Sequence, residues 1–169
     1  MNGDDAASMS RAMAKFPTEV SESVVVPVPL AEAYAFFWDV PTSARCIPGL
    51  DRCEDAGADV YRFIFEERST GPISMCVTYT ARYSGNGADE IRFESTGTDG
   101  DNTDVNGTIR LDRVDDGHTR VTVQQMLAPD TPVPRLLQSL IKSFVQGEAA
   151  KAASDYLANV AKRLAGTSG

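Results

Sequence analysis

The sequence predicts an α+β domain: a curved antiparallel sheet of about seven strands wrapped around one long C-terminal helix, with two short helices between strands one and two. Three observations carry this prediction. From Val60 to Leu127 apolar and polar residues alternate, which is the strand period. From Val133 to Leu164 the apolar residues recur instead at steps of three and four. They run through Leu136, Leu140, Phe144, Tyr156, Val160 and Leu164, the stripe of a helix about eight turns long. Between the first strand-like run and the second lie two short helical stretches bounded by proline. A long striped helix needs a large apolar partner, and a sheet bent around it leaves interior volume that side chains fill only in part.

Each element follows from local chemistry. Residues 1–17 are expected to be a disordered leader, and residues 18–165 one domain. Glu19 to Val26 alternates and ends in a valine run, a first strand that Pro27 and Pro29 stop. Leu30 to Trp38 reads as a helix with Pro29 in its opening turn. Asp39-Val40-Pro41 breaks it, and Thr42 is expected to cap a second short helix through Cys46. Pro48-Gly49 ends that turn, and a strand follows from Leu50 to Asp55. Tyr61, Phe63 and Phe65 then share one strand face. After a Gly71-Pro72 turn, Ile73 to Tyr83 alternates as a single strand. Gly85-Asn86-Gly87 is a hairpin signal leading to Ile91 and Phe93. The acidic loop Gly97 to Asp104 precedes Val105 to Leu111. Asp115-Asp116-Gly117 turns the chain into Val121 to Leu127, and Pro129, Pro132 and Pro134 then break the sheet and introduce the helix.

Composition narrows the function classes. The 169 residues, 42% hydrophobic and 24% charged, are ordinary for one soluble globular domain. A net charge of -8 repels nucleic acid and anionic lipid head groups. No apolar run approaches the ~20 residues that span a bilayer. The N-terminal stretch is acidic at its start and lacks the apolar core of a secretory signal. Cys46, Cys53 and Cys76 form an odd, scattered set that fits reduced thiols and a cytoplasmic location, although spacing alone permits a Cys46–Cys53 bridge.

Few residues suggest chemistry. His118, the single histidine, lies in a tight turn and reads as a surface residue; with three scattered cysteines it makes no zinc set. Asp99, Asp101, Asn102, Asp104 and Asn106 have the composition of calcium ligands. They lack the glycine and glutamate offsets of an EF-hand, so a polar hairpin loop is the expectation. Glu67 has two readings. In phase with Phe65 it would point inward, where burial would raise its pKa and suit it to general acid–base work. At a strand end beside Arg68 it would sit on the rim, and this is the favoured reading. Gln125, and Ser95 if its strand continues, lie on the inward face. They would either hydrogen-bond a ligand or satisfy backbone groups. Phe63, Phe65, Tyr79 and Phe93 serve equally as core and as cavity wall. Tyr34, Phe36, Phe37 and Trp38 anchor the short helix.

The run Val24-Val25-Val26-Pro27-Val28-Pro29-Leu30-Ala31-Glu32-Ala33-Tyr34-Ala35-Phe36-Phe37 resembles the opening strand and helix of the START-like (SRPBCC) superfamily, whose helix-grip fold has this element order. Ala44-Arg45-Cys46-Ile47-Pro48-Gly49-Leu50 resembles the CIPG turn of the CoxG family of carbon monoxide dehydrogenase subunits, and Gly71-Pro72-Ile73 its GPI segment. Polyketide cyclase-like proteins share the same opening. The resemblance implies a cavity between sheet and helix that holds a lipid, quinone or polyaromatic molecule. The expected lining is Phe63, Phe65, Met75, Val77, Tyr79, Phe93, Leu111, Val123 and Gln125 from the sheet. Leu137, Leu140, Ile141 and Phe144 are expected to close it from the helix. The expected protein is a binder or carrier with no catalytic residue, metal or cofactor. The alternatives are an aromatase/cyclase-like enzyme, or an accessory protein that docks onto a membrane-associated oxidoreductase.

Overall fold

The computed structural model describes residues 13–15, 17–70, 73–132 and 137–167. In chain order the elements are β1 (Met13–Lys15), β2 (Thr18–Val26), α1 (Leu30–Trp38), α2 (Val40–Ala44), β3 (Leu50–Gly57) and β4 (Val60–Phe65). There follow β5 (Arg68–Thr70), β6 (Ile73–Met75), β7 (Thr78–Gly85), β8 (Glu90–Ser95), β9 (Thr103–Asp115), β10 (His118–Pro132) and α3 (Gln138–Thr167). The main sheet is antiparallel throughout and runs β3-β4-β7-β8-β9-β10, with β2 and β1 end to end along the far side of β10. Thr18 faces Leu127 and Met13 faces Pro132 in one shared register, so β1 and β2 occupy a single lane. The sheet is therefore seven lanes wide, in agreement with the α+β, helix-grip expectation.

Local chemistry sets the short elements. Pro29 stands at the N-cap of α1 with φ of -62°, the angle its ring imposes. In α2 the cap is Asp39, not Thr42. The Asp39 carboxylate accepts hydrogen bonds from Thr42 Oγ1 at 2.7 Å and from the Thr42 amide at 3.4 Å. A carboxylate reaches the open amides of a first turn, and Thr42 lies inside that turn. The expected single strand Ile73 to Tyr83 is two strands. β6 pairs with β5 in a separate two-stranded ribbon, while β7 stays in the main sheet. The Gly71-Pro72 turn itself lies outside the described residues. The segment expected as a disordered leader contributes β1.

The alternation places one face of the sheet on the core. Val26, Ile91, Leu111, Val121 and Ala81 are at most 1% exposed, and they join Phe37 of α1 and Leu157, Val160 and Leu164 of α3 in one cluster. Apart from the small Ala81, each of these side chains removed from water contributes roughly 1.5–3 kcal/mol. A second cluster forms under α2, where Val40 and Ala44 pack on Phe63. The loop after β8 continues the pairing along β7, beginning with the Thr96 amide, which donates to Thr80 O at 3.0 Å. There Asn102 imitates a strand. Its backbone amide donates to Thr78 O at 3.0 Å, and its side chain accepts from the Thr78 amide at 2.9 Å and donates to Cys76 O.

The helix packs unevenly. Leu157, Val160 and Leu164 are at most 3% exposed, and Asn159 Nδ2 donates to Cys46 O at 3.0 Å. At the other end Leu140 is 66% exposed and Leu137 38%. The C-terminal half is thus fixed to sheet and short helices, and a void opens beneath the N-terminal half.

Candidate functional site

That void is a cavity of about 280 Å³ between the concave face and residues 144–156 of α3. Its sheet side is formed by Phe65, Val77, Tyr79, Tyr83 and Phe93, and by Ile109, Val123, Gln125 and Leu127 from β9 and β10. The rings pack in a layer: Tyr79 lies tilted 5.9 Å from Phe65, and Tyr83 is stacked 5.5 Å from Phe93. On the helix side Ala149, Ala152 and Ala153 face the sheet with almost no side-chain volume. Gly107 has a matching role on β9. A Cβ there would stand 2.4 Å from Gln124 O and 2.6 Å from Phe93 Cζ, so only glycine lets the Phe93 ring lie across the strand. Small residues opposite large rings are what hold the space open.

Several expected residues lie elsewhere. Phe65, Val77, Tyr79, Phe93, Val123, Gln125 and Phe144 do reach the lining. Phe63 does not; it is 1% exposed beneath α2, its ring stacked 4.9 Å from Tyr79. Leu111 is likewise 1% exposed, sealed in the main core. Leu137 and Leu140 face solvent, because among the described residues α3 reaches the cavity only from Phe144 onward. The side chains of Met75 and Ile141 lie outside the described residues. Sequence reasoning omitted Tyr83, although its phase with Tyr79 gave the signal, and it omitted the CIPG turn. Ile47, Pro48 and Gly49 form part of the rim. Gly49 has φ of +73°, and a Cβ on it would stand 3.2 Å from the Arg68 guanidinium that covers it.

Charge is confined to the mouth. Arg68 of β5 donates to Glu148 of α3 at 3.0 Å, which bridges the ribbon and the helix, and Lys151 lies 3.4 Å from Asp155. These side chains are 42–72% exposed, so water screens both pairs. Glu67 is on the exposed rim, where it accepts a hydrogen bond from Ser74. Ser95 Oγ is occupied by the backbone of Val105. His118 sits on a distant hairpin, 2.8 Å from Asp115. Among the described residues no group of three or more His, Cys, Asp or Glu comes together to hold a metal.

The interior is neutral. Burial pushes the Tyr79, Tyr83 and Tyr156 phenols well above the ordinary tyrosine range, and Tyr83 is raised further by Tyr79 and Tyr156. The three cysteines are free thiols. Burial, with Asp55 and Glu54 beside it, pushes Cys53 up to about 11, and burial also raises Cys46, so neither is an activated nucleophile.

A seven-lane antiparallel sheet gripping a C-terminal helix over a cavity is the START-like helix-grip fold. The model of the carbon monoxide dehydrogenase CoxG family matches residues 23–165, and the chain belongs to that family. No curated protein matches the sequence at a significant level. Among solved structures, the Zhui aromatase/cyclase from Streptomyces sp. R1128 is similar with a TM-score of 0.68 and 15% identity, over 88% of this chain and 93% of that one. A START superfamily protein from Mycobacterium smegmatis gives 0.64 and 14%, over 86% and 98%. A conserved protein from Geobacillus kaustophilus gives 0.66 and 16%, over 89% and 96%. At these identities the likeness is one of fold. No helix among the described residues is long and apolar enough to cross a membrane.

Proposed function

We propose that this protein binds and carries a hydrophobic small molecule, of lipid, quinone or polyaromatic type, between the sheet and α3. The observation that carries the reading is the cavity's distribution of polarity: rings and alanines inside, charges only at the mouth. The same distribution argues against acid–base catalysis. Glu67 is outside the cavity, and the carboxylates that reach the lining are either paired with cations, as Glu148 and Asp155 are, or exposed, as Glu66 is. Native mass spectrometry of protein purified from its own host should reveal a non-covalent adduct. Ala152→Trp should fill the void and abolish uptake while the fold survives. A folded Ala152→Trp protein that still loads its adduct refutes the assignment. Leu140→Trp is no test, since Leu140 faces water.

Family membership supports one further reading, that the carrier serves a carbon monoxide dehydrogenase-type oxidoreductase. Pull-down from the native host tests it, and recovery without any oxidoreductase or membrane fraction counts against it.

A further inference from the structure

Three neutral polar groups of the cavity have no protein partner among the described residues. Tyr79 and Tyr83 both line it, and neither hydroxyl is hydrogen-bonded to a described residue. Gln125, directly across the ladder from Gly107, lines it with an equally unpartnered amide. A phenol that keeps its proton is a donor, and an amide NH₂ is another. Donors that open onto the cavity lose their water when a ligand covers them, and that loss is costly unless the ligand itself accepts. The cations on the lining are Arg68 and Lys151, both at the mouth and both engaged with carboxylates. An anionic group carried past them would meet only neutral donors and apolar walls, with no cation left to offset its lost hydration.

We infer that the cavity selects an uncharged ligand bearing a carbonyl-type oxygen, which accepts hydrogen bonds from Tyr79, Tyr83 and Gln125, and that it rejects the corresponding anion. This rests on the binding role proposed above and specifies the head group that the site takes. The selection would separate ketones and esters from free fatty acids and phosphorylated lipids of equal apolar bulk.

Three probes of one shape test the inference: methyl 1-naphthoate, 1-methylnaphthalene and 1-naphthoate, titrated by calorimetry at pH 7.5. The ester should bind at least tenfold more tightly than the carboxylate and more tightly than the hydrocarbon. Tyr79→Phe combined with Tyr83→Phe should weaken the ester three- to tenfold, the value of a neutral hydrogen bond, and leave the hydrocarbon unchanged. Carboxylate binding equal to the ester's overturns the inference, as does equal weakening of ester and hydrocarbon in the double variant. Hydrocarbon binding with no preference for the ester overturns the head-group selection alone. Failure of all three probes to bind overturns the carrier reading and this inference with it.

Discussion

Gly107→Ala is the sharpest probe of how the cavity is held open. The added Cβ would stand 2.4 Å from Gln124 O, 2.6 Å from Phe93 Cζ and 2.9 Å from Gln125 Cβ. The first of these is a backbone carbonyl on β10, which cannot retreat without opening the β9–β10 ladder. The second belongs to a ring stacked on Tyr83. Replacing a strand glycine normally gains roughly 0.5–1 kcal/mol in chain entropy. Overpacking of this kind costs about 1–3 kcal/mol, and three simultaneous contacts argue for the upper part of that range. The net expectation is a loss of about 2 kcal/mol, or roughly 4–8 °C in Tm for a chain of this size. Thermal and guanidinium unfolding would measure it. Because the Phe93 ring can yield only into the void, probe uptake should fall as well. Phe93→Leu in the same chain should relieve part of the clash, giving a coupling of about 0.5–1.5 kcal/mol in a double-mutant cycle. An unchanged or raised Tm, or strict additivity with Phe93→Leu, would show that this glycine does not set the ring's position.

Three further perturbations have defined outcomes. Asn102→Ala removes the acceptor of the half-buried Thr78 amide and should cost about 1–3 kcal/mol, with faster hydrogen exchange at Thr78; normal protection there would refute the strand-mimic role. Alkali should unfold the protein through its buried phenols. Between the ordinary tyrosine pKa near 10 and the raised folded values, the unfolded chain releases protons that the native chain keeps, so stability falls as pH rises through that window. Ultraviolet titration should show tyrosinate from these residues appearing only together with unfolding, and reversible ionisation in the folded state would contradict their burial. Leu140→Ala should change stability by less than about 0.5 kcal/mol, whereas Leu157→Ala should cost about 2–5 kcal/mol. Equal losses in denaturant melts would mean that the helix is anchored along its whole length.

Periodicity made the architecture legible. Alternation placed Tyr79, Phe93 and Val123 on the inner face, and the three–four stripe placed Val160 and Leu164 under it, because both patterns follow from where a backbone points its Cβ atoms. What stayed hidden depends on relations between elements. Nothing in the alternation from Ile73 to Tyr83 distinguishes one long strand from a ribbon that leaves the sheet at Cys76. Phe63 and Phe65 share a phase, but only the position of α2 decides that one is sealed and the other faces the cavity. Leu140 carries the same helical signal as Phe144, but the sheet covers one and not the other. The role of Ala149, Ala152 and Ala153, a wall set back from the sheet, needed the facing residues.

A helix clamped over Leu157 to Leu164, with Leu140 in solvent, should act as a cantilever whose fixed end lies at its C-terminus. Small tilts of its first turns should alter the depth of the chamber without disturbing the clamp, so guests of different girth should be admitted at little cost in cohesion. Such a container would be tolerant of size, and amide exchange along α3 should quicken steadily from Leu164 back towards Gln138.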